Sequence, residues 1–560
     1  MATFSHLPAE LVEFIYSYLS QPDLYAVCRL NKSLNALAIP FLYRHVDLYI
    51  SEGDKIPRID RFCLNVSKDQ RLARRVESIR LGPSSEGDVK TGQRWLPRDS
   101  HFDDDAMYSL AMKALEDESL VPKGDYLRDA LLMREYAAYA AMIMMILPSL
   151  QQFHIADFDR ASLDHLHTAL RNLRTEASWN NRHASESLMV RLGRISSATF
   201  NIDHSSGVAY PREKTRFNLE PILNLPGLSQ LEISIPGGIE RRTRNFGTAM
   251  SVWNSTYLGT RTHKLENITR LVIRNSEPAL NLLRPLLTDT VQLQSLTYEF
   301  FYDCNERDDA PAQWIDLGAW SDSLPRTLRV LVMGVEHCDS TAFPFKQPRI
   351  GDKLYGYLDL TRHIDLHTVE VPYPFLTGDA DFSITTEIYP LLPPNLRHLS
   401  LRTDMSQAQH FFSFDTSRLP RSLTLQESQD EARCLMNARM DVSYMFHAAM
   451  TLLDFATGLE TVSVWQPADG SLSWFDGQIE DFANACRNKS TKSLMVYPLM
   501  LRWKKREHWN LVKEVSICDP SNLTPLNYER LHRWERDGIP LGLSSQYHIH
   551  ALRNHQVRFR

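Results

Sequence analysis

The sequence predicts an α/β chain, with three short helices at the N-terminus followed by an irregular β-α solenoid. Three observations predict it. Apolar residues recur at helical spacing between His6 and Ala38. A phrase then returns about ten times down the chain: an apolar residue, two others, an apolar, one other, an apolar. Several copies are preceded by Leu-Pro. The first pattern is that of one-faced helices. The second is a strand whose alternate side chains point inward, and the third is a helix end stopped at proline.

In the first helix Leu7, Leu11, Ile15 and Leu19 recur every fourth residue, with Phe14 and Tyr18 beside them. Pro8 sits where the first turn tolerates a missing N–H. Pro22 opens a second, short helix carried by Leu24, Val27 and Cys28. Asn31 is placed as the N-cap of a third, carried by Leu34, Leu37 and Ala38 and ended by Pro40. About forty residues enclose little interior, so some of these apolar side chains must face something else. A helix follows from Pro57 to Val66, and a buried one begins near Gly124-Asp125 and is stopped by Pro148. The apolar core of that helix, Tyr136 to Leu147, is too short for a bilayer, which takes about twenty residues. Its Met142, Met144 and Met145 read as packing.

The repeated phrase stands at Val76-Ile79-Leu81, Leu150-Phe153-Ile155, Leu228-Leu231-Ile233, Ile268-Leu271-Ile273 and Leu293-Leu296-Tyr298. It returns at Leu328-Leu331-Met333, Leu366-Val369-Val371, Leu396-Leu399-Leu401 and Leu459-Val462-Val464, with a weaker copy at Ser197-Phe200-Ile202. Irregular spacings of roughly 25 to 45 residues indicate stacked units with insertions. Residues Gly237 to Glu266 form one such insertion, polar and holding Arg241, Arg242, Arg244 and Arg261. Thr524-Pro525 starts a last helix, with Leu526, Tyr528 and Leu531 inward, that caps the open end. The domains are therefore 1–48, 49–522 and a capping segment 523–560.

Composition is that of an ordinary globular protein: 43% hydrophobic, 23% charged, net charge −6. No bulk basic field exists to attract nucleic acid. Seven dispersed cysteines without a Cys-x-x-Cys pair, and no signal peptide before Phe4, imply free thiols in the cytoplasm or nucleus.

No nucleotide loop, nucleophile elbow or His-Glu-x-x-His helix occurs. His363 and His367 stand four apart, but on a strand that spacing separates them, and no third ligand is near in sequence. His337-Cys338-Asp339 alternates across a strand, so its members diverge. His548 and His550 share a strand face without further support, and Lys504-Lys505-Arg506 reads as a solvated helix face. The sequence thus implies no enzyme activity, no cofactor and no metal site.

Leu7-Pro8-x-Glu10-Leu11, then Ile15, Leu19, a Pro-Asp-Leu step and Val27-Cys28-Arg29, resemble an F-box. The tail Pro40-Phe41-Leu42-Tyr43-Arg44-x-Val46-x-Leu48 is similar to F-box proteins of filamentous fungi. The later phrase resembles a leucine-rich repeat, without the Asn or Cys that normally follows the last apolar position by three, so a regular horseshoe is not expected. The F-box resemblance implies docking on a Skp-type adaptor, and through it a cullin–RING ubiquitin ligase, by Leu7, Pro8, Leu11, Ile15, Leu19, Leu24, Val27, Cys28 and Leu34. The repeats then present an unknown client protein. Arg241, Arg242, Arg244 and Arg261 suit an acidic or phosphorylated segment of that client, because guanidinium pairs bidentately with such groups.

Overall fold

The computed structural model describes residues 7–19, 21–49, 57–82, 124–156, 193–201, 220–223, 225–234, 265–276, 280–302, 315–337, 354–378, 388–406, 425–456, 458–467, 473–498, 511–521 and 557–559, with 96, 105, 106, 109 and 165 besides. The chain divides into two compact units. The first runs up to Ser234 and includes the stretch ending at Ile268; the second continues from Thr269.

The first unit opens with α1 (Ala9–Tyr16), α2 (Gln21–Cys28) and α3 (Lys32–Arg44). Asn31 caps α3 as expected, its side chain accepting from Leu34 N at 2.8 Å. Pro40 does not end α3. A proline removes one intrahelical bond, a cost that tertiary packing can offset. Here Phe41 and Leu42 continue packing on the helical core beyond it, and the Phe41 ring meets Tyr16 edge-on at 6.0 Å.

From Arg44 the chain passes directly into β1 (His45–Tyr49), without a linker. Strands β2 (Ser78–Gly82), β3 (Gln152–Ala156), β4 (Ser197–Asn201) and β5 (Gln230–Ser234) follow, each parallel to the one before. Val46, Ile79, Phe153, Ala198 and Leu231 stand in register as one buried row. Leu48, Leu81, Ile155, Phe200 and Ile233 form the next. The β4 phrase is therefore Ile195-Ala198-Phe200, not Ser197-Phe200-Ile202. The small Ala198 disguised the frame by two residues, which preserves the face but shifts the register.

Two helices, α4 (Ile59–Lys68) and α5 (Gln70–Ala73), lie between β1 and β2. The apolar segment before Pro148 is two helices, Gly124–Leu132 and Tyr136–Ile146, where the sequence suggested one. Arg134 breaks it by adopting φ 63°, a conformation strained for a residue with a Cβ. What holds it there is charge: its guanidinium donates to the fully buried Asp60 of α4 at 2.8 Å, and Arg58 reaches the same carboxylate. Met142 and Met144 are core, as their setting implied.

The second unit repeats the pattern. β6 (Arg270–Ser276), β7 (Ser295–Tyr302), β9 (Val330–His337), β11 (Thr368–Pro372), β12 (His398–Arg402), β13 (Thr461–Trp465) and β14 (Lys492–Pro498) are parallel neighbours. Two-residue strands β8 (Ile315–Asp316) and β10 (Leu354–Tyr355) pair apart from them. Leu271, Leu296, Leu331, Val369, Leu399 and Val462 form one in-register buried row. Helices Leu280–Asp289, Leu317–Ser323, Tyr373–Thr377, Leu425–Phe455 and Asp476–Asn488 connect the strands. Beyond β14 the pattern changes: β15 (Leu511–Cys518) and β16 (Val557–Phe559) join in antiparallel fashion. The expected capping helix at Thr524 to Trp534 lies outside the described residues.

One backbone device recurs in both units. The carbonyl just before a strand accepts two consecutive N–H groups of the following repeat, at Glu77, Gln151, Ser196, Thr269, Gln294, Arg329, His367 and Arg397. The Leu-Pro lead-in makes a tight turn into the phrase: Leu328 N donates to Pro325 O and Leu396 N to Pro393 O. In place of a continuous ladder, single asparagine and threonine side chains bridge successive turns. Asn267 reaches Pro226 O, Thr327 reaches Leu293 O, Asn395 reaches Ile364 O and Thr491 reaches Leu459 O. The chain is an N-terminal helical region followed by a long repetitive β/α region consistent with a solenoid-like fold.

Candidate docking face on the N-terminal helices

Helix α1 is apolar on two sides, and the sequence pattern alone does not say which side faces inward. Val12 and Tyr16 do, at 3% and 1% exposure, meeting Leu24 and Ala38 in a small core. Leu19, Val27, Cys28, Leu34 and Leu37 pack around it, partly buried. Burial raises the pKa of both Tyr16 and Cys28, so the Cys28 thiol stays protonated.

The adjoining apolar side is left open. Leu7, Leu11, Phe14, Ile15 and Tyr18 are exposed by 37, 50, 62, 37 and 74%. Phe14 and Tyr18 meet edge-on at 5.1 Å. Tyr25 and Leu30, on and just after α2, are exposed as well. Seven of the seventeen exposed large hydrophobic residues among those described fall within these few turns. Concentrated exposure of this kind marks an interaction surface, whereas scattered apolar residues do not.

Of the residues the sequence singled out, Leu7, Leu11 and Ile15 lie on this outer face and Pro8 is exposed at its start. Leu24 is at 4% exposure and belongs to the interior. Leu19, Val27, Cys28 and Leu34 line the seam between core and surface. Tyr25 and Leu30 carried no period-four signal and were not singled out. Val12 and Tyr16 were missed because the Leu/Ile stripe one position away is the stronger pattern.

Arg241, Arg242, Arg244 and Arg261 lie outside the described residues, as do Cys338, Asp339, Lys504-Lys505-Arg506, His548 and His550. His363 is buried, which lowers its pKa. His367 shares a hydrogen bond with the Thr368 hydroxyl at 2.9 Å. Among the described residues no group of three or more His, Cys, Asp or Glu is arranged to hold a metal ion. No described helix is long and apolar enough to cross a membrane.

The second unit's strands are buried on both faces near β11 to β13. There Arg402 pairs with Glu370 at 3.0 Å and Asp404 at 2.8 Å, and stacks on Trp465 with its guanidinium 4.3 Å from the ring centre. Trp465 Nε1 donates to Ser400 Oγ, and Asp404 also accepts from Val335 N. The surrounding carboxylates, Asp404 first, outweigh burial and raise the Arg402 pKa. In the first unit the matching face stays partly open, with Asp47, Arg80, His154, Thr199 and Glu232 in one register row.

No curated protein matches the chain. The F-box-like family model matches residues 4–49, the stretch that holds α1 to α3 and β1. The chain therefore carries an N-terminal F-box-like domain, followed by the repetitive β/α region.

Proposed function

We propose that the protein is a substrate-recognition adaptor of an SCF-type (Skp–cullin–F-box) E3 ubiquitin ligase, working in the cytoplasm or nucleus. The exposed row Leu7, Leu11, Phe14, Ile15 and Tyr18 docks on the Skp-type adaptor, and the repeats bind a client protein. The chain performs no reaction of its own; it raises the effective concentration of the ubiquitin-loaded enzyme at the client's lysines. The observation that carries the reading is the outward apolar face of α1, open although the helical core behind it is complete.

The test is L11D/I15D in the full chain. These side chains are 50% and 37% exposed, so each has part of its apolar surface left to bury on docking, and a buried carboxylate adds a desolvation cost. The pair should weaken adaptor binding by at least about a hundredfold. The melting temperature should move little, because neither side chain fills the core. Undiminished adaptor binding by this variant would refute the assignment. Recovery of the adaptor without a cullin would replace the ligase with a scaffold built on the same docking face.

A further inference from the structure

β1 has one sheet neighbour among the described residues, β2, so its other side is an open edge. Open edges are templates for adding a foreign strand. Backbone groups alternate along a strand, and Arg44 O faces β2, since it accepts from Glu77 N at 3.0 Å. The carbonyl of His45 and the N–H groups of Asp47 and Tyr49 therefore point the other way, toward the missing strand.

All three are occupied. The Gln21 side chain donates from Nε2 to His45 O at 2.9 Å and accepts from Asp47 N at Oε1, 3.3 Å. In a parallel ladder one residue of the neighbouring strand makes this same pair of bonds, to the carbonyl before and the N–H after the residue it faces. Gln21 also donates to Leu42 O at 3.3 Å, near the end of α3. Two carbonyls on one side and an N–H on the other fix the orientation of the amide. Asp47 then uses its own carboxylate to accept from Tyr49 N at 2.9 Å.

We propose that Gln21 and Asp47 seal the edge of the first unit's sheet by standing in for a strand that is not there. The seal prevents strand addition by a second copy of this chain. It also ties the start of α2 to β1, so that the docking helices and the sheet turn as one body. This rests on edge geometry and stands whatever partner occupies α1.

The experiment compares full-length wild type, Q21M, Q21M/D47A and Q21M/D47P by residue-resolved hydrogen exchange and by sedimentation over a range of concentrations. Methionine keeps the length of the side chain and removes all three of its hydrogen bonds. The Asp47 amide should exchange several-fold faster in Q21M, and the Tyr49 amide in Q21M/D47A as well, since a net hydrogen bond corresponds to about two- to tenfold. The Ile79 amide, inside the sheet, should hold its rate and so report that the fold is intact. Q21M/D47A should self-associate with rising concentration. Q21M/D47P should not, because a proline on an edge strand removes an outward donor and obstructs pairing. Unchanged exchange at Asp47 in Q21M would overturn the proposal, as would equal association of the alanine and proline variants.

Discussion

Replacing Arg402 by methionine isolates a buried ion cluster of the second unit. The substitution keeps an unbranched side chain beside Trp465 but removes the cation from between Glu370 and Asp404, which lie 3.0 and 2.8 Å from it. All three side chains are buried, with residue exposures of 5, 7 and 6% for Arg402, Glu370 and Asp404. Taking one partner from a buried ion cluster leaves the other charges uncompensated, at a cost of about 3–5 kcal/mol. For a unit of this size that lowers the melting temperature by on the order of 10 °C. The companion variant R402M/E370M/D404N removes the stranded charges as well. The amide oxygen that D404N introduces can still accept from Val335 N, the bond that Asp404 makes at 2.8 Å. The triple variant should recover most of the loss, because it leaves no uncompensated charge among these three positions. Replacing a buried ion cluster by uncharged groups of similar volume is often nearly neutral. Urea and thermal unfolding, followed by tryptophan fluorescence and circular dichroism, would measure both. A loss below about 1 kcal/mol in R402M, or a triple variant as unstable as the single one, would show that the cluster is solvated and that charge burial is not what it contributes.

Two further outcomes follow from particular contacts. Burial first, and Arg80 second, lower the pKa of His154 from 6.5 to about 4. The unfolded chain then binds a proton at His154 that the folded chain refuses. Stability from this group is therefore full above pH 6.5 and falls as the pH drops toward 4, by at most about 3 kcal/mol and less to the extent that water reaches the ring. H154Q should flatten that part of the stability profile, and a curve parallel to wild type from about pH 7 to 4 would contradict it. At Gly227 an added Cβ would land on the carbonyl of Gly193, 2.7 Å from its carbon. Backbone cannot swing aside as a side chain does, so G227A should lower the melting temperature of the first unit by several degrees, corresponding to roughly 1–3 kcal/mol of overpacking; an unchanged melt would mean the two turns part without cost.

Much of the architecture was legible in the sequence because strand burial has period two and the inward positions hold Leu, Ile, Val and Phe. Nine of the ten phrases name the strand and the inward residues correctly. The tenth slipped where Ala198 replaces a larger side chain. The same phrase stands at Tyr43-Val46-Leu48 and announces β1, but in the sequence it reads as the tail of the F-box resemblance. β14 was not legible, because its inward position opposite Val462 is Ser493. Helix existence also followed from period and capping, down to Asn31. The sequence could not say that α3 would run through Pro40 or that Arg134 would interrupt a long apolar helix. In both places a tertiary contact overrides local preference: Phe41 on Tyr16, and Arg134 on Asp60.

The sequence by itself determined that α1 carries more apolar surface than three small helices can bury, since that is a matter of composition against interior volume. Only the tertiary structure decided which side is spent on the core. Val12 and Tyr16 meet Leu24 and Ala38, while the more conspicuous stripe of Leu7, Leu11 and Ile15 remains outside with Phe14 and Tyr18. Helical period reports that a face exists. Which of two adjacent apolar faces turns inward depends on how α2 and α3 pack against it, and that is set by contacts between helices rather than by the pattern within α1.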